Sequence, residues 1–284
     1  MAPALIDVST AAIERALAEL RADGERAPAL RTSVLTHVAW VPLEWERAAM
    51  SVLEGMADRY PSRAIVLHPD ADADEDRLDA EVDWQCFPAQ ERHVCGETIR
   101  IWLRGRAALA PASVVLPLTL PDLPLFLRWR GLPPFGEQAY EQLVDVADRL
   151  IVDSSEWPEP SAGYARLLPS FERAAVSDLA WARTLPWRVA LARLWPGVAG
   201  ARELAVSGPA SEALLLAGWL RSRLGSEIAL RNEPWPELAE VAVDGRRVAA
   251  ERDGRTPSDL LSDELDVFTR DPVYEAAAAA AAAL

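Results

Sequence analysis

The chain has 284 residues, of which 50% are hydrophobic and 26% charged, and this is the composition of a folded globular protein. Its formal net charge is −15, and all of its 29 basic residues are arginine. Because a strongly acidic chain repels nucleic acid and anionic membranes, we expect neither as a partner. With only Cys86 and Cys95, and with no leader-like N-terminus, we expect a cytoplasmic protein and not a secreted disulfide scaffold.

The first hundred residues alternate between helix-type and strand-type patterns. An amphipathic helix ending near Gly24 precedes a strand over 31–41, a helix over 43–59 and a strand over 62–68. Two longer strands with alternating apolar residues come next. We therefore predict an N-terminal α+β domain over residues 1–108.

The two alternating strands, Leu78–Cys86 and His93–Leu103, predict a hairpin with a defined register. Pairing their apolar faces sets Cys86 opposite Cys95. Because a cross-strand disulfide is often strained, and buried thiols react slowly, we predict two free, sluggish thiols with a disulfide only under strong oxidant. A redox role for this pair is the alternative.

A proline-rich apolar stretch follows the hairpin. It holds two apolar runs, Ser113–Leu120 and Leu123–Trp129, which meet at Pro121-Asp122. Proline presets φ for a turn, and aspartate can hydrogen-bond its own backbone there. The stretch is too short and too proline-broken to span a membrane as a helix, so we predict two buried strands covered by helices.

The C-terminal half predicts a second domain. A helix-type segment over Gln138–Arg149 leads into a short apolar strand over 150–152, which is an α/β signature, and Asp244-Gly245 predicts a type I′ hairpin. The predicted fold class is therefore α/β: the N-terminal α+β domain, then an α/β domain over 109–270 with a mixed sheet flanked by helices. We interpret the alanine-rich tail, 271–284, as low complexity without a function.

Polar residues lie at the ends of two predicted strands. Arg128 and Trp129 end the Leu123–Trp129 run, Arg130 comes directly after it, and Asp153 and Ser154 follow the next strand. Open α/β sheets usually keep their sites at this edge, so these five residues are the candidate partner-binding or anion-binding site. The alternative is that the arginines only form structural ion pairs with Asp153 or Asp178.

Catalytic patterns do not emerge from the sequence. Neither G-x-G-x-x-G nor a P-loop is present, so no nucleotide cofactor is expected, and no metal-ligand spacing stands out. Ser154 has no G-x-S-x-G elbow around it, and all three histidines belong to the first predicted domain. We therefore predict that the chain is not an enzyme.

Several segments occur in an order that matches a known family. The most specific are DLPLFLRWRG, DRLIVDSS and SDLAWARTLPWR. With these segments the chain resembles the glucose-6-phosphate dehydrogenase assembly protein family (OpcA-like proteins). The resemblance covers about residues 31–225 and, more weakly, 271–277.

The resemblance implies a non-catalytic partner of glucose-6-phosphate dehydrogenase. Members of the family bind this enzyme, promote its active oligomer as allosteric activators, and so control entry into the oxidative pentose phosphate pathway of carbohydrate metabolism. In some relatives cysteines link this activation to redox state, and only Cys86 and Cys95 are available for that here. The alternative function is an enzyme or sensor that binds a sugar phosphate near Arg128 and Asp153.

Overall fold

The protein is described from a computed structural model, over residues 4–24, 29–30, 33–56, 62–89, 92–251 and 254–284. Its fold class is α/β, as predicted. The chain divides into two compact units: unit 1 comprises Met1–Ile151 and Pro257–Asp266, and unit 2 comprises Val152–Thr256 and Val267–Leu284. The boundary predicted at residue 109 falls inside unit 1, because strand Leu125–Trp129 pairs with Thr36–Trp40.

The strands are mostly short, apart from the two of the predicted hairpin. In chain order they are β1 Ala4–Leu5, β2 Ala29–Leu30, β3 Thr36–Trp40, β4 Arg63–Asp70, β5 Arg77–Ala89, β6 Arg92–Arg104, β7 Leu125–Trp129, β8 Arg149–Val152, β9 Ala175–Asp178, β10 Glu203–Gly208, β11 Ala229–Pro234, β12 Glu240–Val243 and β13 Arg246–Val248. Residues 31–32 of the first predicted strand lie outside the described part of the chain.

The helices are also short, and four 3₁₀ turns supplement them within the described residues. The helices are α1 Thr10–Gly24, α2 Glu46–Glu54, α3 Arg106–Leu109, α4 Pro111–Val115, α5 Gln138–Val146, α6 Pro160–Leu167, α7 Leu179–Arg183, α8 Leu185–Ala192, α9 Ala210–Leu224, α10 Pro257–Leu265 and α11 Pro272–Ala281. Residues 57–59 of the helix predicted over 43–59 lie outside the description. None of the described helices combines the length and apolarity needed to cross a membrane.

Unit 1 is built on a sheet whose strands follow the order β1-β5-β6-β4-β3-β7-β8, with β2 beside β6. Strands β6, β4, β3, β7 and β8 run parallel to one another, whereas β5 is antiparallel to β6. Every residue of β3 and β7 is buried, as expected for strands covered on both faces. The predicted strand–helix–strand unit is confirmed as β3, α2 and β4.

The β5–β6 hairpin has the predicted register. Leu78 lies opposite Leu103, and Cys86 lies opposite Cys95. The prediction of two free thiols is wrong for this structure, in which Cys86 and Cys95 form a disulfide with a Cα–Cα distance of 4.1 Å. The pairing register itself brings the two sulfur atoms together, and the strands on either side hold them there.

The apolar run Ser113–Leu120 was predicted as a strand and is helical. It forms the end of α4 and a 3₁₀ turn over Leu116–Leu118. Pro111 occupies the first helical turn, where its fixed φ and missing N–H are tolerated. A continuous apolar run does not distinguish a buried strand from a buried helix, which explains the error. The second run is confirmed as strand β7.

Unit 2 contains a sheet in the order β11-β10-β12-β13. Strands β10 and β11 are parallel, and β12 and β13 form an antiparallel hairpin. Asp244 and Gly245 connect the hairpin with positive φ angles of 47° and 77°, which confirms the predicted type I′ turn. Apolar residues of α8 and α9 pack on this sheet and form the largest part of its core.

The alanine-rich tail, which we interpreted as low complexity, forms helix α11 and packs within unit 2. Asp271 caps α11 by accepting hydrogen bonds from the amides of Val273 and Tyr274. Ala277, Ala278 and Ala281 are completely buried, and α11 packs along α9. Alanine is suited to this position because its small side chain lets two helices approach closely.

Candidate functional site

Arg183 joins two buried carboxylates in unit 2. Its Nη1 and Nη2 donate to Asp153 at 3.0 and 2.6 Å, and its Nε donates to Glu212 Oε1 at 2.8 Å. Asp153 is 7% exposed and Glu212 is 2% exposed. Nη2 also donates to Ser155 Oγ at 2.8 Å, and that hydroxyl donates to Asp153 Oδ1. The guanidinium is therefore held by charge-assisted hydrogen bonds on two sides.

The acidic residues of this network lie at the N-terminal ends of helical segments. Asp153 caps the 3₁₀ turn Ser154–Glu156, Asp178 caps α7, and Glu212 lies in the first turn of α9. Backbone N–H groups at the start of a helix have no partner within the helix, so they interact favourably with a nearby negative charge. Each carboxylate is therefore favoured at its position by the helical segment on which it lies.

Asp178 is the centre of a second polar group in unit 2. Its Oδ1 accepts hydrogen bonds from Ser154 N at 3.0 Å and from Ala180 N at 2.9 Å, and Tyr274 Oη lies 3.4 Å from Oδ2. Burial, reinforced by the charge of Asp153, raises the pKa of Asp178 to about 7. This carboxyl group therefore titrates near neutral pH.

Ser154 faces a phenol and not a base. Its hydroxyl lies 2.6 Å from Tyr164 Oη, and both side chains are fully buried. Burial and then the charge of Asp178 raise the pKa of Tyr164 well above its ordinary value, so the phenol stays protonated. A protonated phenol cannot remove the serine proton, and this geometry gives Ser154 a hydrogen-bonding role inside the unit.

The Arg128–Arg130 segment lies in unit 1. Trp129 is 1% exposed, stacks on Trp40 at a centroid distance of 4.7 Å and meets the edge of Tyr140 at 5.3 Å. Arg128 is 3% exposed and donates to the carbonyl oxygen of Trp129. These contacts make Trp129 part of the aromatic core of the unit.

Arg130 is the most exposed member of this segment, and its guanidinium lies 4.7 Å from the ring centroid of Trp45. The arginines thus belong to unit 1, whereas Asp153 and Ser154 belong to unit 2. Within unit 2, Asp153 forms an ion pair with Arg183. A role of the five predicted residues in partner binding stays a prediction.

A buried histidine lies near Arg128. His37, on β3, is 2% exposed, and its Nε2 has no hydrogen-bond partner among the described residues. Burial, followed by the charge of Arg128, lowers the pKa of His37 to about 4. The imidazole is therefore neutral at physiological pH.

Sequence reasoning named Asp178 only as a possible ion-pair partner of the arginines, and it missed Arg183 and Glu212. A partial signal exists for Asp178, because SDLAWAR places an aspartate directly before a helix, which is a common N-cap pattern. Arg183 is separated from Asp153 and Glu212 by 30 and 29 residues. Local patterns carry no information about such pairs.

Two family models match most of the chain. Residues 54–168 match the model described as the glucose-6-phosphate dehydrogenase subunit N-terminal domain, and residues 174–278 match the model described as the C-terminal domain of the same subunit. The first model ends and the second begins within unit 2.

Three curated cyanobacterial proteins are similar to the chain, and all carry the provisional name OxPP cycle protein OpcA. The protein of Synechocystis sp. is 28% identical over 187 residues, which is 61% of this chain and 39% of that protein. The Synechococcus elongatus protein is 28% identical over 185 residues, or 60% and 41% of the two chains. The Nostoc punctiforme protein is 29% identical over 228 residues, or 74% and 49%. The matched segments thus span less than half the length of these relatives.

Proposed function

Because the chain belongs to the glucose-6-phosphate dehydrogenase assembly family of OpcA-like proteins, we propose that it is a non-catalytic partner of that dehydrogenase. In this proposal it binds glucose-6-phosphate dehydrogenase in the cytoplasm, promotes the active oligomer as an allosteric activator and supports the oxidative pentose phosphate pathway. The observation that carries the proposal is the match to both family models in chain order.

The chemistry of the polar groups in unit 2 supports a binding protein. The guanidinium of Arg183 donates hydrogen bonds to Asp153 and Glu212, and the hydroxyl of Ser154 is hydrogen-bonded to the protonated phenol of Tyr164. These interactions are internal, so they contribute to the fold and its rigidity more than to a reaction. The function then depends on the surface of the protein.

The proposal is tested with purified chain and the glucose-6-phosphate dehydrogenase of the same organism. We expect the chain to co-elute with the dehydrogenase in gel filtration, to shift it to a larger size and to raise its activity. Unchanged size together with unchanged kinetics would contradict the proposal. Turnover or tight binding of a sugar phosphate by the chain alone would contradict it as well.

Arg130 is the residue of the predicted site that we propose for contact with the dehydrogenase, because it is partly exposed directly after the buried strand β7. Arg130→Ala is expected to weaken binding while the fold is retained. Arg223→Ala is the matched control, since Arg223 is an exposed arginine on another element of the chain. Equal affinity of the two variants would leave Arg130 with a structural role only, through its contact with Trp45.

A further inference from the structure

Helix α8 carries apolar residues on both of its faces. Trp187 and Leu191 point into the core of unit 2, where they are 9% and 0% exposed. Leu185 and Val189, one turn apart on the other side, are 44% and 41% exposed. A helix that covers a sheet normally turns polar residues outward, so this outer stripe is unusual for a surface.

The stripe continues past the end of the helix. Arg193, the C-cap residue, lies one turn after Val189, and its amide donates to Val189 O at 3.1 Å. Trp195 follows within the same turn and is 65% exposed. We call Leu185, Val189, Arg193 and Trp195 the α8 surface. Tryptophan and arginine are enriched in interfaces and among hot spots, and the aliphatic residues beside them here add apolar area that a partner can cover.

The charge of this region is opposite to that of the whole chain. Residues 184–202 contain Arg188, Arg193 and Arg202 but no aspartate or glutamate, in a chain with a net charge of −15. Among the described residues, the side chains of Arg193 and Arg202 form no ion pair. Strand β13, which packs against α8, begins with the exposed Arg246, two residues after the exposed Asp244. The α8 surface is therefore an apolar patch with one cationic side chain, Arg193, on a protein of net charge −15.

We infer that the α8 surface is where the dehydrogenase docks, through an apolar depression bordered by carboxylates on that enzyme. The inference rests on the proposed function and adds the surface and its chemistry. Opposite charges around an apolar centre direct two proteins into one orientation and accelerate their encounter. A second copy of this chain and an anionic membrane are both disfavoured as occupants, because a chain of charge −15 repels each of them at long range.

The test uses the full chain, the dehydrogenase of the same organism and two matched pairs of variants. Trp195→Ala is compared with Trp235→Ala, since Trp235 is 58% exposed elsewhere in unit 2. Arg193→Glu is compared with Arg223→Glu, because both arginines are exposed near the end of a helix. Circular dichroism and thermal melting confirm that each variant folds. Binding is measured by titration at low and at high salt.

We expect Trp195→Ala to weaken binding at least about tenfold, as removal of a hot-spot tryptophan does. Arg193→Glu is expected to slow association and to reduce the salt dependence of binding, whereas both controls stay within about twofold of the unaltered chain. If the unaltered chain does not bind the dehydrogenase, the proposed function itself fails.

If the unaltered chain binds and all four folded variants bind equally well, only the assignment of the α8 surface is overturned. Two further measurements decide between occupants. Sedimentation of the chain alone that shifts with Trp195→Ala would identify a contact between copies and overturn the inference. Binding to anionic vesicles that depends on Arg193, without an effect on the dehydrogenase, would overturn it as well.

Discussion

Gly218 on α9 and Ala277 on α11 lie so close that a Cβ built on the glycine would come 2.3 Å from Ala277 O. The same Cβ would lie 2.8 Å from the backbone nitrogen of Ala281. Backbone atoms on both helices would have to move to admit a single methyl group. The two helices thus meet backbone to backbone, and the alanines of the tail are a packing requirement of unit 2.

The Gly218→Ala substitution tests this contact. In the middle of a helix, glycine to alanine normally stabilises by up to about 1 kcal/mol. Here we expect a net loss of about 1–3 kcal/mol, because the added methyl group overpacks the α9–α11 contact. Thermal unfolding should show a melting temperature lower by several degrees. Gly200→Ala is the control, since a Cβ at Gly200 meets no atom within 4 Å. A raised melting temperature for Gly218→Ala would show that the helices separate easily.

The tail illustrates what a sequence pattern can and cannot predict. An amphipathic stripe requires contrast between apolar and polar positions, and the eight alanines after Glu275 provide none. Their burial depends on Gly218, more than fifty residues earlier in the chain, and no local pattern records that pairing. The β5–β6 register was predictable because alternation with a period of two leaves one arrangement that buries the apolar face.

The positions of Asp153 and Ser154 were predictable for a similar reason. Asp153 and Ser154 follow strand β8 directly, so their position at a strand end could be derived from neighbouring residues. The partner of Asp153 is Arg183, which belongs to another helix and is one of 29 arginines. Tertiary packing determines which arginine pairs with Asp153, and local sequence patterns do not predict that packing.

We predict that Arg183→Leu strongly destabilises the protein. The substitution leaves the carboxylates of Asp153 and Glu212 buried without their cation, and loss of one partner from a buried pair costs about 3–5 kcal/mol. We expect a loss at the lower end of this range, because the Arg183 side chain is 31% exposed and water can reach it. Urea unfolding measures the change, with Arg223→Leu as an exposed control. A change in the free energy of unfolding below about 0.5 kcal/mol, typical of surface positions, would contradict the role of Arg183.

The cysteine pair gives a prediction about thiol reactivity. Protein purified without reductant should show no titratable thiol, because Cys86 and Cys95 form the disulfide. After mild reduction we expect one fast and one slow thiol, since Cys86 is exposed and Cys95 is 3% exposed. Titration with a chromogenic disulfide measures both rates, and Cys86→Ser should remove the fast phase alone. Two thiols that react at equal rates after reduction would contradict the orientation of the hairpin.

The raised pKa of Asp178 predicts that stability depends on pH. Aspartate in the unfolded chain has a pKa near 3.8, whereas burial and then Asp153 raise the pKa of folded Asp178 to about 7. Between these values the folded chain keeps a proton that the unfolded chain has lost. The contribution of Asp178 to the stability of the folded chain is therefore fully present below pH 3.8 and is lost as the pH rises through 7.

The Asp178→Asn variant tests this pH dependence, because asparagine keeps the shape of the protonated acid but does not titrate. The free energy of unfolding of the variant, relative to that of the unaltered chain, should rise from pH 5 to pH 8 in urea unfolding. Asp244→Asn is the control, because Asp244 is exposed while accepting two backbone amides in the same way. Parallel pH profiles for the unaltered chain and Asp178→Asn would mean that the folded protein holds Asp178 ionised, with its hydrogen bonds from Ser154 N and Ala180 N outweighing burial.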